Sequence, residues 1–599
     1  MKKTLYTAIM AVAALGMTSC SDFLDKKSTA YDSDGFYESE AGLDQGVTGI
    51  YRTLVYDENW AVPQIMVQDV YSPYACQFTE NNTISAGPGL TPDQTYVSSY
   101  WNGHYSIVGR ANNVITGAKL SFDGLFDPNA ASDKYRRRLA EAYVLRAYAY
   151  YNLVQAFGNI PFLKAAATPD DYKCFATPKE EIAAYIIDQL EQIVDAAILP
   201  WSPEQIGRVG NGAAAELLAR WCLLAGSHDF DGKGQEYFAK SAAAAKKVMD
   251  NHGLANEFAD LFTHAGQAKA DVQKEILWVY PYCMGSVNHT SKIRLGHTSR
   301  SAGGSSVRFP SSFTYLVFEC TDGKRIDESP LFDPTKPYLN RDPRMAHTIL
   351  MHGQEFWYNN GKNAIRLNVY DKSQDKYPNP RRPGQWYKAD NQDVTGTDYS
   401  CARSGLGALW MKYNEDMTES FSDCTIDLIV MRTAEAYLTY AEAMIEQNKL
   451  DQTVYDAINA VRDRAGMPHF DPAREGDQDK MRQIVRRERK VELAMEGVLV
   501  TDFRRWKIGD LLNAGPIHGQ PVAEYNGESF RYDKLTMNDY PSFKTTDRHD
   551  LNDIPDFTPV SDKYTQRDSK RFWAERFMWW PIPRGELDKN PNLSNPEGY

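Results

Sequence analysis

The chain has 599 residues, enough for a large core and, by length alone, about two to four domains. Hydrophobic residues make up 42% and aromatic residues 12%, which excludes a disordered chain. A net charge of −13 argues against a nucleic-acid backbone as partner.

The first residues read as an export signal. Lys2-Lys3 form a basic start and residues 5–16 a short apolar run, too short to span a bilayer. Met17-Thr18-Ser19-Cys20 then has the form of a bacterial lipobox, so Cys20 is the expected lipidated first residue of the mature chain. No later run of about 18 apolar residues occurs, so no membrane-spanning helix is expected. Seven cysteines remain and no CxxC pair, which implies neither a full disulfide framework nor a zinc site but leaves room for one or two disulfides.

After a polar tether, GLDQGVTGIYRTL predicts a helix. Residues 71–100 are rich in Asn, Thr, Gly and Pro without a sustained period, and predict a long loop. Helices are expected over 100–118 and 132–157, the second closed by Gly158 and Pro161. Thr177-Pro178-Lys179-Glu180 predicts a helix start with a threonine cap and an early proline. A further pair is expected over 212–225 and 235–251. Between about 270 and 425 the pattern changes to loops rich in Gly, Pro, Asn and aromatics, with EILWVYPY as a strand.

The stretch 428–468 carries the clearest repeat signal. Met431, Ala434, Leu438, Ala441 and Ile445 fall on one helix face, Asp451 can cap a second helix, and Gly466 with Pro468 stops it. That unit of about 34 residues has the size of a tetratricopeptide repeat and cannot bury its apolar face without similar neighbours. Two helix pairs before residue 260, this one, and a fourth from residue 479 onward suggest a helical-repeat scaffold with a non-repetitive insertion.

Catalytic signatures are weak. Glu488, Glu492 and Glu496 lie on one helix face beside Arg486, Arg487 and Arg489, which suits ion pairs rather than acids facing each other across a sugar. Arg504-Arg505-Trp506 is read into the same network. His347 and His352 are five apart and do not form a helical metal pair. Asp229-Phe230-Asp231-Gly232-Lys233-Gly234 fails as a calcium loop because Lys233 stands where an oxygen ligand is needed. Asp547, Asp550, Asp553 and Asp556 are the one place where calcium is entertained; no other metal or cofactor is expected.

Several motifs together carry a family resemblance. They include Cys20-Ser21-Asp22-Phe23-Leu24-Asp25, LAEAYVLRAYAYYNLVQAFGNIPF, GNGAAAELLARWCLLAG, LNRDPRM, AINAVRDRAGMP, IVRRERKVELAMEGVLVTDFRRW and the terminal WPIPRGELDKNPNL. In their order and spacing the chain resembles the SusD/RagB family of nutrient-binding outer-membrane lipoproteins of Bacteroidetes-type bacteria. One departure is Val498-Leu499-Val500, where the family more often has a basic and aromatic run. The resemblance implies an all-α fold: a right-handed superhelix of four tetratricopeptide-like helix pairs with a large irregular loop-rich insertion. It divides the chain into a signal peptide (1–19), an N-terminal region (20–265), the insertion (266–425) and a C-terminal region (426–599). It further implies a surface-exposed outer-membrane location, no catalysis, and a SusC-like TonB-dependent transporter as partner.

The ligand expected from the resemblance is an oligo- or polysaccharide, with an oligopeptide, or protein–protein contact alone, as the alternatives. A sugar ring stacks its C–H face on an aromatic ring while polar side chains meet its hydroxyls. The expected glycan-binding residues are therefore Tyr74 and Phe78 with Asn81 and Asn82, and Trp357, Tyr358, Trp386 and Tyr387. Trp101, Trp278, Trp410, Trp506, Trp579 and Trp580 are expected in the core or at an interface.

Overall fold

The computed structural model describes residues 35–599 apart from 55–56, 59–61, 64–67, 79–89, 286–288, 360, 397–399, 403–404, 415–420, 422 and 471–475. Cys20 and its lipobox lie outside the described residues.

The fold is mostly helical. The main helices are α1 (Glu40–Leu54), α2 (Thr95–Gly117), α3 (Asp133–Phe157), α4 (Lys179–Asp195), α5 (Asn211–Ser227) and α6 (Gly234–Asn251). After the insertion come α7 (Thr433–Glu446), α8 (Gln452–Arg464), α9 (Gln478–Glu492) and α10 (Leu499–Arg505). Helix α2 packs on α3 and α4 on α5; α5 packs on α6, α6 on α7, and α7 on both α8 and α9. The chain thus leaves the scaffold after α6 and returns to it at α7.

Local chemistry sets these boundaries. The Ser132 side chain accepts from the Tyr135 amide at the start of α3, and Gly158, at φ 72°, ends it. Helix α3 is buried on all sides between residues 138 and 157, so even its charges need partners. Arg146 donates to Asn112 Oδ1, Gln189 Oε1 and the Lys164 carbonyl at 2.8–3.0 Å. Asp451 caps α8 by accepting from the Thr453 amide at 2.9 Å.

Two expectations are corrected here. Thr177 does not cap α4, because its backbone is bridged to Ile160 and the helix opens at Pro178 without a side-chain cap. Met431 is not helical. The run Leu428–Arg432 is rich in β-branched and long apolar residues, and it forms a strand paired with Ile276–Tyr280.

The expectation of an all-α chain is also too simple. Eight two-stranded antiparallel sheets occur among the described residues. The strands used below are β1 (Ala75–Gln77), β2 (Ile276–Tyr280), β3 (Arg308–Pro310), β4 (Glu355–Tyr358) and β5 (Asn363–Arg366). They continue with β6 (Ser373–Pro378), β7 (Trp386–Asp390) and β8 (Leu428–Arg432). A second apolar cluster, separate from the helical core, holds Phe309, Phe356, Ile365, Leu367, Leu406 and Leu409. Cys76 and Ile517 also belong to it, so segments far apart in sequence close it from two sides.

Glu488 and Glu492 of α9, with Glu496, form the charged heart of the scaffold; the helix ends at Glu492, so Glu496 is corrected from the shared helix face to the turn that follows. Glu492 meets Arg344 at 2.9 Å, Arg432 at 2.5 Å and Arg464. Glu488 meets Arg344 at 3.0 Å and Arg462. Glu496 meets Arg432 and Lys412, both at 2.7 Å. Burial alone would raise the Glu492 carboxyl, but Arg464, Arg432 and Arg344 outweigh it and hold the group well below the usual range. Arg505 and Trp506 both donate to Glu442. The seven cysteines among the described residues are free thiols.

Candidate functional site

The insertion carries two neighbouring hairpins. Strands β4 and β5 pair antiparallel with Trp357 opposite Ala364 and Glu355 opposite Arg366. The period-two alternation sends Phe356 and Tyr358 into the second apolar cluster and turns Glu355 and Trp357 outward. Trp357 is 41% exposed. By register, Arg366 stands on the same face as Trp357.

Strand β5 runs beside β6, which pairs antiparallel with β7. Trp386 faces Pro378 and Tyr387 faces Tyr377, and the register shifts between Tyr387 and Lys388. Such a bulge increases local twist and re-aims the side chains around it. The Arg366 guanidinium lies 4.5 Å from the Trp386 ring centroid, and the Tyr377 and Tyr387 rings are 4.6 Å apart. Arg366 and Lys388 share Asp375, at 3.4 and 2.5 Å. Tyr387 is 37% exposed.

An isolated two-stranded hairpin is marginal in water, so its base must be held. Buried Asn391 does this by donating to the Asn368 and Asp371 carbonyls at 2.5 and 2.7 Å. Asp371 accepts two hydrogen bonds from Arg531 at 2.8 and 2.9 Å, which lower its carboxyl pKa. His352, beneath this region, is pushed down to about 4 by burial and then by Arg531, so it is neutral near pH 7.

The expected ligand residues therefore divide. Trp357, Trp386 and Tyr387 lie on neighbouring hairpins, with Trp357 and Tyr387 exposed and Trp386 half-buried. Tyr358 is corrected to the core, because strand alternation buries it beside Phe356, 6.5 Å away and nearly parallel. Tyr74 is likewise corrected. The segment expected as a loop enters strand β1, paired with β3, and Tyr74 is 1% exposed with its carbonyl accepting from Ser311 and Thr314. Phe78 is half-buried against the second apolar cluster. Asn81 and Asn82 lie outside the described residues. The sequence reading missed Arg366, Asp375, Tyr377 and Lys388. Their signal was the alternation of charged and aromatic residues on either side of the Pro-Gly turn at 378–384.

Among the cavities of the described residues, two larger ones lie elsewhere. One, of about 580 Å³, is lined by charged groups including Arg325, Asp327, Lys480 and Lys544. The other, of about 610 Å³, lies between Tyr51, Arg208, Ile206 and Tyr280. None of the expected ligand residues lines either. Asp550 and Asp553, entertained for calcium, both pair with Arg325, and Asp553 also with Arg487.

A family model described as the SusD family matches residues 274–599, more than half of the chain and the part that holds both hairpins. The chain belongs to the SusD family. A second model, described as starch-binding associating with outer membrane, matches residues 22–223 of this SusD-family chain. SusD-like protein P2 of Formosa agariphila is 25% identical over 562 residues, 88% of this chain and 95% of that protein. The crystal structure of a SusD-like carbohydrate binding protein from Bacteroides fragilis matches at 25% identity with a TM-score of 0.72, covering 93% of this chain and 100% of that one. Surface glycan-binding protein A from Bacteroides uniformis shares the fold, with a TM-score of 0.58 at 16% identity over 93% of this chain and 99% of its own. The departure at Val498-Leu499-Val500 falls at α10, in the buried scaffold and away from the hairpins.

Proposed function

We propose that this SusD-family chain is a lipid-anchored, surface-exposed outer-membrane protein that captures an oligo- or polysaccharide and passes it to a SusC-like TonB-dependent transporter. The observation that carries the reading is the pair of hairpins on an anchored base, with Trp357 and Tyr387 exposed and Trp386 half-buried beside them. Scattered exposed aromatics need no explanation, but several on neighbouring hairpins form a surface that suits sugar rings. The lipobox at Cys20 supports the anchor. The successive packing of α4 through α9 supports a right-handed superhelix of tetratricopeptide-like pairs, four in all, as the scaffold that holds the hairpins out.

No bond is broken in this reading. General acid–base work on a glycoside needs two carboxyls placed across the sugar. Glu488 and Glu492 on α9, and Glu496 in the turn after it, are instead buried and committed to arginines and Lys412. Affinity is modest, because a few stacking contacts must offset the ordering of a flexible polymer, and a neighbouring channel compensates through effective concentration. A glycan array run beside a peptide library tests the reading: binding to glycans that is lost with the exposed rings supports it, and peptide binding alone overturns it. Co-purification of a TonB-dependent barrel with the native lipoprotein tests the partner.

A further inference from the structure

The hairpins carry a net positive charge, opposite in sign to that of the chain as a whole. Residues 355–390 hold seven Lys and Arg against four Asp and Glu, in a chain whose net charge is −13. Two of those four acids are already committed. Asp371 pairs with Arg531 from outside the segment, and Asp375 with Arg366 and Lys388. Lys362, Lys372, Lys376, Arg381 and Arg382 have no carboxylate partner among the described residues. Arg381 and Arg382 sit at the tip of the second hairpin and are exposed. The tip itself is shaped. The Asn379 amide donates to the Gln385 carbonyl at 2.8 Å, the Arg381 amide to Asn379 Oδ1 at 3.0 Å, and Gly384 takes φ 81°.

We infer that the glycan captured at these hairpins is anionic, carrying carboxylate or sulfate groups along its length. The inference rests on the glycan-binding reading above and names the ligand class of the same site. Stacking on Trp357, Trp386 and Tyr387 would hold the ring faces, and the surrounding cations would meet the charged substituents. Arginine suits this task, because its planar fork matches the paired oxygens of a carboxylate or sulfate. A single exposed ion pair is worth little, but a polymer that repeats its charge can engage several cations at once. The net acidic charge of the chain adds direction: a polyanion is repelled by the body as a whole and accepted at the basic hairpins. Charges on a hairpin also discourage edge-to-edge pairing, but that service can be given by either sign and does not explain the excess of one.

The test uses the mature chain and two matched pairs of polymers, polygalacturonate against its methyl ester and dextran sulfate against dextran. The first pair isolates carboxylate and the second sulfate. At low salt, at least one charged member binds at least tenfold tighter than its neutral counterpart, and the gap closes near 1 M salt, where screening reaches about 3 Å. The double variant Arg381→Glu/Arg382→Glu weakens that binding at least tenfold. The double variant Lys246→Glu/Lys247→Glu, which changes net charge equally on helix α6, leaves it within about twofold. Equal loss in both double variants would reduce the effect to net charge and overturn the inference. Charged and neutral members bound alike, or neutral glycans alone bound through the exposed rings, would overturn it while leaving the glycan-binding reading intact. Wild-type protein that binds none of the four polymers and no glycan on the array would remove both.

Discussion

The guanidinium of Arg366 lies 4.5 Å from the centre of the Trp386 ring, joining strand β5 of one hairpin to strand β7 of the next. This contact covers one face of the indole and fixes its plane, which leaves the rest of the ring as a stiff platform. A ring already held in place loses less conformational freedom when a sugar lands on it.

Removing the platform should weaken binding without unfolding the chain. Trp386→Ala and Trp357→Ala are each expected to lower glycan affinity about two- to twelvefold, the scale of one aromatic contact of about 0.5–1.5 kcal/mol. Calorimetry measures the affinity and a thermal melt checks the fold. Wild-type affinity in both variants would remove these residues from the site.

The α9 network should behave in the opposite way, with large effects on stability and none on ligand choice. Glu492→Leu leaves Arg344, Arg432 and Arg464 buried without this carboxylate. The expected cost is about 3–5 kcal/mol, read as a shift of the urea midpoint. A loss below about 1 kcal/mol would mean that the remaining acids already satisfy those arginines.

Much of this arrangement was legible in the sequence. Helices α3, α5, α7 and α8 announce themselves through periodic apolar residues, and the Glu-Arg pattern of α9 through its charges, because a helix repeats locally. The hairpins did not. Trp357 and Tyr358 are neighbours in sequence and looked alike, yet one is exposed and the other buried. That difference depends on β5 pairing with β4 and on which face meets the second apolar cluster. Tyr74 was misplaced for the same reason: the strand it leads into is completed by Arg308–Pro310, more than two hundred residues away. Met431 kept a helical spacing inside a strand because β2, its partner, lies far back in the chain.

Acid should unfold the scaffold in a defined window. Burial alone would raise the Glu442 and Asp553 carboxyls, but Arg505 beside the first and Arg487 beside the second hold each at about 2. A depressed carboxyl contributes stability that is fully present above its unfolded pKa near 4 and is lost as pH falls through its folded value. Stability should therefore drop between about pH 4 and pH 2, on the order of 2 kcal/mol for each group. Denaturant titrations across that window check it; a flat profile would contradict the pairing.

Asp69 should show the reverse dependence. It is fully buried, accepts from the Met495 amide, and burial pushes its carboxyl up to about 7. A raised carboxyl favours the folded state at low pH and loses that advantage as pH rises from about 4 to about 7. Asp69→Asn keeps an acceptor for the amide and removes the buried charge. Its stability relative to wild type should increase across that range and then level off, as measured by urea midpoints at several pH values. A constant difference would show that Asp69 does not titrate there.

Anchoring is testable at one residue. Cys20→Ser in the native host should move the protein from the membrane fraction to the soluble fraction while leaving the fold of the mature chain unchanged. Retention in the membrane fraction would place the anchor elsewhere.

The most direct test of the whole account is equilibrium binding by calorimetry, with the mature chain and a triple variant Trp357→Ala/Trp386→Ala/Tyr387→Ala titrated against the same polysaccharide panel and the products inspected afterwards. The account predicts saturable binding by the wild type, at least tenfold weaker binding by an equally stable triple variant, and polysaccharide recovered at its original length. Wild-type affinity in the triple variant, or shortened polysaccharide after incubation, would contradict it.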